Sequence, residues 1–151
     1  MNIKTTEQFS LTTSEIAEFT DNLRHHDKAE CRLLYPEHSI HTLLAVSLDT
    51  SRGRLMTTLD GKPMALGGVA DFPGAPGFLV WMVGTQEADK LRHQLALYRI
   101  WQNQLGKWLP KYQRLSNYCS ADEGQLRVMK SLGFDVYEVG VENVRFISLC
   151  V

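Results

Sequence analysis

The sequence has few cysteines, a balanced charge and no long apolar run, and each of these excludes a class of protein. Its three cysteines, Cys31, Cys119 and Cys150, are odd in number and far apart, which argues against a disulfide framework and favours reduced thiols in a cytosolic setting. The net charge of −1 gives no general attraction to nucleic acid or to an acidic membrane. No run reaches the ~18 apolar residues of a spanning helix, and the N-terminal residues lack the apolar core of a secretory signal. We therefore expect no nucleic-acid partner and no membrane anchor.

The residues that are present are typical of one ordinary folded domain. Hydrophobic residues make up 44% and charged residues 22% of the 151 residues, which excludes disordered and fibrous classes. A chain of this length buries enough surface to fold without a disulfide or a metal ion. Because there is no internal repeat and no proline- or serine-rich linker, we expect residues 1–151 to form a single domain.

Helical periodicity dominates the first third of the chain. Thr12 and Glu15 have the spacing of a capping box, and the apolar residues that follow predict a helix over about 13–25. Two further helical segments are expected, Glu30–Leu34 ending before Pro36, and about 39–49.

The middle of the chain changes to strand patterns. Asp60 and Gly61 tolerate the positive φ angles of a two-residue hairpin turn, so strands are expected at Arg54–Leu59 and Lys62–Ala70. Phe78–Val83 is a continuous apolar run, typical of a strand buried on both faces.

The longest helix follows that buried strand, and we expect Pro110 to close it. Its apolar stripe, the face expected to pack on the sheet, consists of Leu91, Leu95, Tyr98, Trp101, Leu105 and Trp108. Later elements are expected at Arg114–Cys119 (strand), Gln125–Leu132 (helix), and about 135–139 and 145–149 (strands). Interleaved helices and strands of this kind predict a mixed α/β fold, with a mostly antiparallel sheet between helices in three layers.

This order of elements resembles the GNAT fold of acyl-CoA-dependent N-acyltransferases. The resemblance is carried by the hairpin over Leu59–Gly68 and by the segment Arg127–Phe134, which ends in Leu132-Gly133-Phe134. Within that fold the chain resembles the small GNAT-like internal virion (core) proteins of short-tailed bacteriophages. The segments that carry this second likeness are His26-Asp27 with Glu30, Ala65–Gly68, Trp81–Thr85 and Leu115–Tyr118.

The resemblance implies three alternative functions. The first is a phage-encoded assembly or interaction module, with weak or no transferase activity, in the host cytosol or inside a virion. The second is an acetyl-CoA-dependent N-acetyltransferase whose acceptor is unknown. The third is a small host-modulating phage protein that binds a bacterial partner.

Two positions depart from what the GNAT family uses for chemistry. The family's phosphate-binding loop opens with Gln or Arg and uses glycines so that backbone amides reach the pyrophosphate; with Gln86 as the opening residue, those glycine positions hold Asp89 and Leu91. The tyrosine that serves as general acid is replaced by Met129. We therefore assign no catalytic residue and expect no bound cofactor; if acetyl-CoA binds, the resemblance places Val83, Thr85 and Gln86 against it.

The resemblance also suggests which residues line a cleft between splayed strands, namely Trp81 and Asn117. For Trp81 the competing interpretation is ordinary core packing. Asn117 is equally well explained as a residue that caps a turn.

Other polar residues favour ordinary roles. His38 and His41 have a spacing that a metal site could use, but no further ligand confirms it, so no metal is expected. His25-His26-Asp27 could supply a general base with an orienting carboxylate, but adjacent residues of a helix point about 100° apart, so they are interpreted as residues at a helix end that complement the helix dipole. Cys119 is not expected to be a nucleophile, because Asp122 and Glu123 would raise its thiol pKa.

The long helix carries basic residues and no acidic one from Lys90 to Arg114. One interpretation is a solvated helix face; the other is a docking surface for an acidic protein or for a second copy of the chain. The residues assigned to this interaction face are Arg92, Arg99, Lys107 and Lys111.

Overall fold

The computed structural model describes residues 2–151. Its strands are β1 Ile3–Thr6, β2 Gly53–Leu59, β3 Lys62–Asp71, β4 Phe78–Gly84, β5 Arg114–Ser120, β6 Asp135–Glu138 and β7 Val144–Cys150. Its α-helices are α1 Thr13–Asp21, α2 His25–Leu34, α3 Ile40–Thr50, α4 Leu91–Tyr112 and α5 Glu123–Ser131, with a short 3-10 helix at Gln86–Asp89. None of the helices within the described residues combines the length and apolar content that crossing a membrane requires.

The strands form one seven-stranded sheet in the order β1-β2-β3-β4-β5-β7-β6. Neighbouring strands are antiparallel except β4 and β5, which run parallel and pair only at Phe78 with Leu115 and Leu79 with Ser116. Beyond these two pairs the strands diverge. We call the gap between residues 80–84 of β4 and 117–120 of β5 the split.

Apolar side chains on the two faces of the sheet form two separate cores. On one face Leu66 and Trp81 pack with Phe19 of α1 and Leu44 of α3. The other face packs against α4 and α5, with Val69, Val80, Trp101, Trp108 and Met129 among its members. Because successive residues of a strand point to opposite faces, adjacent residues such as Val80 and Trp81 contribute to different cores. The expected mixed three-layer architecture is confirmed.

Local sequence signals account for several boundaries. The capping box at Thr12 forms as expected: its Oγ1 accepts from the Glu15 amide at 3.1 Å, and Glu15 Oε1 accepts from the Thr12 amide at 3.0 Å. The hairpin turn holds Asp60 at φ 49° and Gly61 at φ 85°, the left-handed geometry that a type I′ turn requires.

Some element boundaries differ from the sequence-based expectation. The first helix ends at Asp21, not near 25, because Leu23 leaves the helix to form an isolated bridge with Thr85. The edge strand β1 was not expected. Pro110 lies inside the last turn of α4 and does not end it, and the helix continues to Tyr112.

The expected apolar stripe of α4 is wrong at its beginning. Leu91 is 85% exposed and Leu95 is 58% exposed, whereas His93 and Leu97 are buried. Trp101, Leu105 and Trp108 are buried as expected, and Tyr98 is half-buried. The first turn of α4 follows the 3-10 helix, whose Glu87 carbonyl is 2.8 Å from His93 Nδ1, so the buried side of this turn is the polar His93 side.

Candidate functional site

The vertex of the split is fixed by a side chain. Asn117 lies on β5 just beyond the last β4–β5 pair, and its Nδ2 donates to the Val80 carbonyl at 2.8 Å. Its Oδ1 accepts from the Tyr118 amide at 2.7 Å. Asn117 thus joins the two strands where their backbones can no longer reach each other, and it lines a cavity next to the split.

Helix α2 crosses the split and supplies one carboxylate to each arm. Asp27 Oδ2 accepts from the Gly84 amide of β4 at 2.8 Å, and Glu30 Oε1 accepts from the Ser120 amide of β5 at 2.8 Å. The two acids are three residues apart, so they lie on one face of the helix. A single helical turn therefore satisfies amides on both diverging strands.

Asp27 has a basic ion-pair partner and Glu30 has none within the described residues. Asp27 is buried, at 1% exposure, and pairs with Arg24 Nε at 2.6 Å. Glu30 has no ion pair within the described residues, and burial raises its pKa, opposed mainly by the Ser120 amide and by His26. A carboxyl with a raised pKa is a stronger base than an exposed one.

His26 completes a cluster with these acids. Single ligand atoms of His26, Asp27 and Glu30 lie within 4.8 Å of one another, and within residues 2–151 no other group of three or more such side chains is this close. His26 Nε2 is buried without a hydrogen-bond partner. Because the Arg24 guanidinium already balances Asp27, and an amide donates to each carboxylate, the cluster resembles a proton-transfer site more than a cation site.

Two cavities meet at the split from opposite faces of the sheet. One, of about 910 Å³, lies between α4 and α5 and is lined by residues such as Leu95, Tyr98 and Val128. The other, of about 390 Å³, lies beneath α2 and α3 and is lined by Trp81, Asn117 and apolar residues. The two cavities have five lining residues in common, namely Glu30, Met82, Val83, Gln125 and Met129. We call the first the α4–α5 groove and the second the α2–α3 cavity.

The residues expected to hold a cofactor lie beside the split, but two of their amides are engaged. The Thr85 amide donates to the Met64 carbonyl at 2.9 Å, and the Gln86 amide donates to the Asn22 carbonyl at 2.9 Å. Val83 lines both cavities, but its backbone lies on the β3 side of the strand, opposite Leu66, so its amide does not face the split either. The Val80 carbonyl and the Gly84 amide of β4 both face the split. Because alternate residues of a strand direct their backbone groups to the same side, the Met82 N–H and C=O face the split as well.

Both acidic side chains of the segment in the place of the phosphate loop form ion pairs. Glu87 Oε1 lies 2.7 Å from Lys90 Nζ, and this hydrogen bond lowers the pKa of Glu87. Asp89 Oδ1 lies 3.8 Å from Arg24 Nη1. The Ala88 and Lys90 amides are bonded within the segment. Together with the Thr85 and Gln86 amides, four amides of this turn are thus already bonded within the protein.

Neither Met129 nor the nearby thiols supply an acid or a nucleophile. Met129 is buried in the split. Burial, with the negative charges of Asp27 and Glu30, raises the thiol pKa of Cys31 to about 11, and burial with the charge of Glu30 raises that of Cys119 to about 12. The raised pKa disfavours the thiolate of Cys119, as expected, but its causes are burial and Glu30 and not Asp122 and Glu123.

Trp81 and the histidines singled out in the sequence lie at different places in the fold. Trp81 is buried, lines the α2–α3 cavity and donates from Nε1 to Ser51 Oγ at 2.8 Å. His38 and His41 belong to no three-residue ligand group within residues 2–151. His25, His26 and Asp27 begin α2 and do not end a helix, so the dipole interpretation is wrong for the two histidines.

Sequence reasoning set Asp27 aside with the neighbouring histidines and did not assign Glu30 to a site. Their spacing with His26 at i, i+1 and i+4 places all three along one side of a helix, and this was the available signal. The signal was hidden because the helix was expected to end where α2 in fact begins.

The basic residues assigned to the interaction face are all exposed. None of them has an ion pair within residues 2–151, where the ion-paired basic residues are Arg24, Arg52, Lys90, His93 and Arg145. The four residues are Arg92, Arg99, Lys107 and Lys111.

The geometry can be compared with known proteins. No known family pattern and no curated protein matches the sequence. Among solved structures, the chain is similar to the GNAT domain of S. lividans PAT, with a TM-score of 0.72 and 11% identity over 99% of this chain and 90% of that one. It is similar to a Bacillus subtilis acetyltransferase in complex with CoA, with a TM-score of 0.66 and 7% identity over 99% of both chains. It is also similar to the ribosomal-protein-S18-alanine N-acetyltransferase from Escherichia coli, with a TM-score of 0.65 and 11% identity over 99% and 94% of the two chains.

Identities this low establish the fold alone. The protein has the GNAT acetyltransferase fold, as the resemblance of its sequence implied. The finer likeness to phage core proteins stays a prediction.

Proposed function

We propose that this protein is an N-acyltransferase that uses an acyl thioester of the acyl-CoA type. The observation that carries the proposal is the position of Glu30, a carboxylate with a raised pKa, in a split where two cavities on opposite faces of the sheet meet. This arrangement lets a donor and an acceptor approach one another from two sides, with a base between them.

The α4–α5 groove suits the arm of such a donor better than its phosphate end. Acyl-CoA supplies an acyl group activated as a thioester. The backbone of Met82 faces the split, where an extended arm can bond to it as an added strand would. The engaged amides of Thr85 and Gln86 offer the pyrophosphate nothing. We therefore expect weaker binding than a backbone phosphate cradle would give.

Glu30 is suited to accept the proton that an attacking amine must lose. In the transfer, a bond forms between the amine nitrogen and the acyl carbon, the carbon–sulfur bond breaks, and the thiolate takes the electron pair. The amine proton passes to Glu30, and His26, within 4.8 Å, is placed to receive it in turn. A thiol with an ordinary pKa near 8.5 leaves without a strong acid, so the loss of a tyrosine at Met129 does not prevent the reaction.

The test is to measure thiol release from acetyl-CoA in the presence of a panel of amines, for the wild type, Glu30→Gln and Glu18→Gln. Glu18 is an exposed acid on α1 and serves as the matched control. We expect Glu30→Gln to lower kcat about 100- to 10,000-fold, the usual contribution of a general base. The wild-type rate should rise with pH through the raised pKa of Glu30, and this acid limb should disappear in Glu30→Gln. Equal activity of both variants would refute the assignment of Glu30.

The assembly-module function stays an alternative prediction, as does a host-modulating phage protein. The assembly-module function is supported by four exposed cations on α4 that have no ion pair in the described chain. If an acidic partner or a second copy docks on this face, reversing Arg99 and Lys107 to Glu should abolish co-purification or virion incorporation, and the wild-type interaction should weaken with salt. If a folded double variant is incorporated normally, the docking prediction is wrong and the basic residues are only a solvated helix face.

A further inference from the structure

We infer that the acceptor is an apolar monoamine, a primary amine with an aryl or alkyl body and no second charge. This inference rests on the proposed function and specifies its substrate class. It is drawn from the α2–α3 cavity, whose volume of about 390 Å³ is within the range of small-molecule sites.

The walls of this cavity are mainly apolar, with a few uncharged polar side chains and His38 among them. The side chains that form the wall include Leu34, Ile40, Leu43, Leu44, Leu79 and Trp81. Glu30 is the only Asp, Glu, Lys or Arg among the described residues that line it. A single carboxylate at the inner end of an apolar cavity matches a ligand with one ammonium group and an apolar body.

The same arrangement selects against three other kinds of amine. An amino acid would bring a carboxylate that no Lys or Arg of the cavity can pair. A polyamine would bring a second ammonium without a second acid. A peptide would place a run of backbone N–H and C=O groups against walls that offer few polar side chains to pair them, and unpaired buried polar groups are costly.

The outer end of the cavity also favours an apolar body. Leu34, Tyr35 and Tyr118 line both the α2–α3 cavity and an adjoining recess, in which Val139 and Val141 also take part. Tyr35, Tyr118, Val139 and Val141 are all exposed in the absence of a ligand. An acceptor too long for the cavity would therefore extend over more apolar surface, so lengthening its alkyl chain should not abolish binding.

The decisive experiment compares phenethylamine with phenylalanine, which differs only by a carboxylate, and with 1,4-diaminobutane. With acetyl-CoA as donor, we expect kcat/KM for phenethylamine to exceed that for each of the others by about 100-fold or more, the effect of burying one unpaired charge. Calorimetry without a donor should show binding of phenethylamine and none of phenylalanine, which tests the cavity independently of turnover.

A charge-introducing variant tests the same cavity from the protein side. Leu43→Arg adds a cation to the wall, and Leu43 is half-buried, so the long side chain can keep its head near solvent. We expect the preference for phenethylamine over phenylalanine to fall at least about tenfold, because the added cation can pair the substrate carboxylate. Thr50→Arg, on an exposed position of the same helix that does not line the cavity, should leave the preference unchanged.

The outcomes separate this inference from the proposed function. If phenylalanine, 1,4-diaminobutane or a peptide amine is acetylated as well as phenethylamine, the acceptor class is wrong and the transferase function stands. If no amine stimulates thiol release but phenethylamine binds selectively, the cavity is correctly assigned and the transferase function fails. If phenethylamine neither reacts nor binds, the inference is overturned.

Discussion

Replacing Trp101 by alanine tests how α4 packs on the sheet. Trp101 is 8% exposed, and its ring centroid lies 6.3 Å from that of Trp108. The ring also covers Gly67 of β3, where an added Cβ would come within 2.2 Å of Trp101 Cη2. Removing it leaves a cavity between helix and sheet that neither element can close.

Such a truncation costs about 3–5 kcal/mol of the free energy of unfolding. This is a large share of the ~5–15 kcal/mol by which a domain is stable. At roughly 2–4 °C per kcal/mol for a chain of this size, the Tm of Trp101→Ala should fall by about 6–20 °C.

The matched control is Leu91→Ala, because Leu91 belongs to the same apparent apolar stripe but is 85% exposed. Its free energy of unfolding should stay within about 0.5 kcal/mol of the wild type. Urea unfolding followed by far-UV circular dichroism measures both variants on one scale. Equal losses in the two variants, or a loss below about 1 kcal/mol for Trp101→Ala, would refute the packing of α4 described above.

Three further predictions concern the sheet, the thiols and the base. Gly67→Ala should cost about 1–3 kcal/mol through overpacking against the Trp101 ring and the Trp81 carbonyl oxygen. Trp101→Leu removes only the first of these contacts, so a double-mutant cycle should show a combined cost below the sum of the two single changes but above that of Trp101→Leu alone. Iodoacetamide at pH 8 should modify exposed Cys150 rapidly and Cys119 slowly, because the thiol pKa of Cys119 is raised to about 12; mass spectrometry of the two peptides would reveal the reverse order. Since burial raises the pKa of Glu30 above 4.5, the folded state holds this proton more tightly than the unfolded state. The free energy of unfolding should therefore fall as pH rises from the pKa of Glu30 in the unfolded chain through its higher pKa in the folded state. Glu30→Gln should remove this part of the fall in melts recorded as a function of pH.

The sequence predicts those parts of the fold that short-range chemistry determines. The Asp60-Gly61 turn and the Thr12–Glu15 capping box need only their own residues, and both form as expected. The strand Phe78–Val83 was recognisable because its burial on both faces makes it apolar throughout.

The parts that failed depend on distant residues. Nothing near Leu23 indicates that the helix must end before it; the cause is its bridge to Thr85, about 60 residues further along the chain. Leu91 and Leu95 have the period of a buried stripe, but the 3-10 helix before them rotates that turn toward the His93 side.

The candidate site was only partly accessible for the same reason. Trp81 and Asn117 were placed next to a cleft through a fold resemblance, and both line the α2–α3 cavity. Asp27 and Glu30 gain their importance from the Gly84 and Ser120 amides, which lie on two other elements. A sequence window cannot reveal a partner that only the tertiary structure brings close.

The pair of carboxylates across the split also bears on how this protein avoids aggregation. A sheet that opens in its middle has two internal edges, and unpaired edge amides attract strands from other molecules. Asp27 occupies the Gly84 amide on one edge, and Glu30 occupies the Ser120 amide on the other. An intruding β-strand would have to displace an acidic side chain on whichever edge it paired with. The two carboxylates therefore make the open part of the sheet a poorer place for a strand of another copy of the chain to pair.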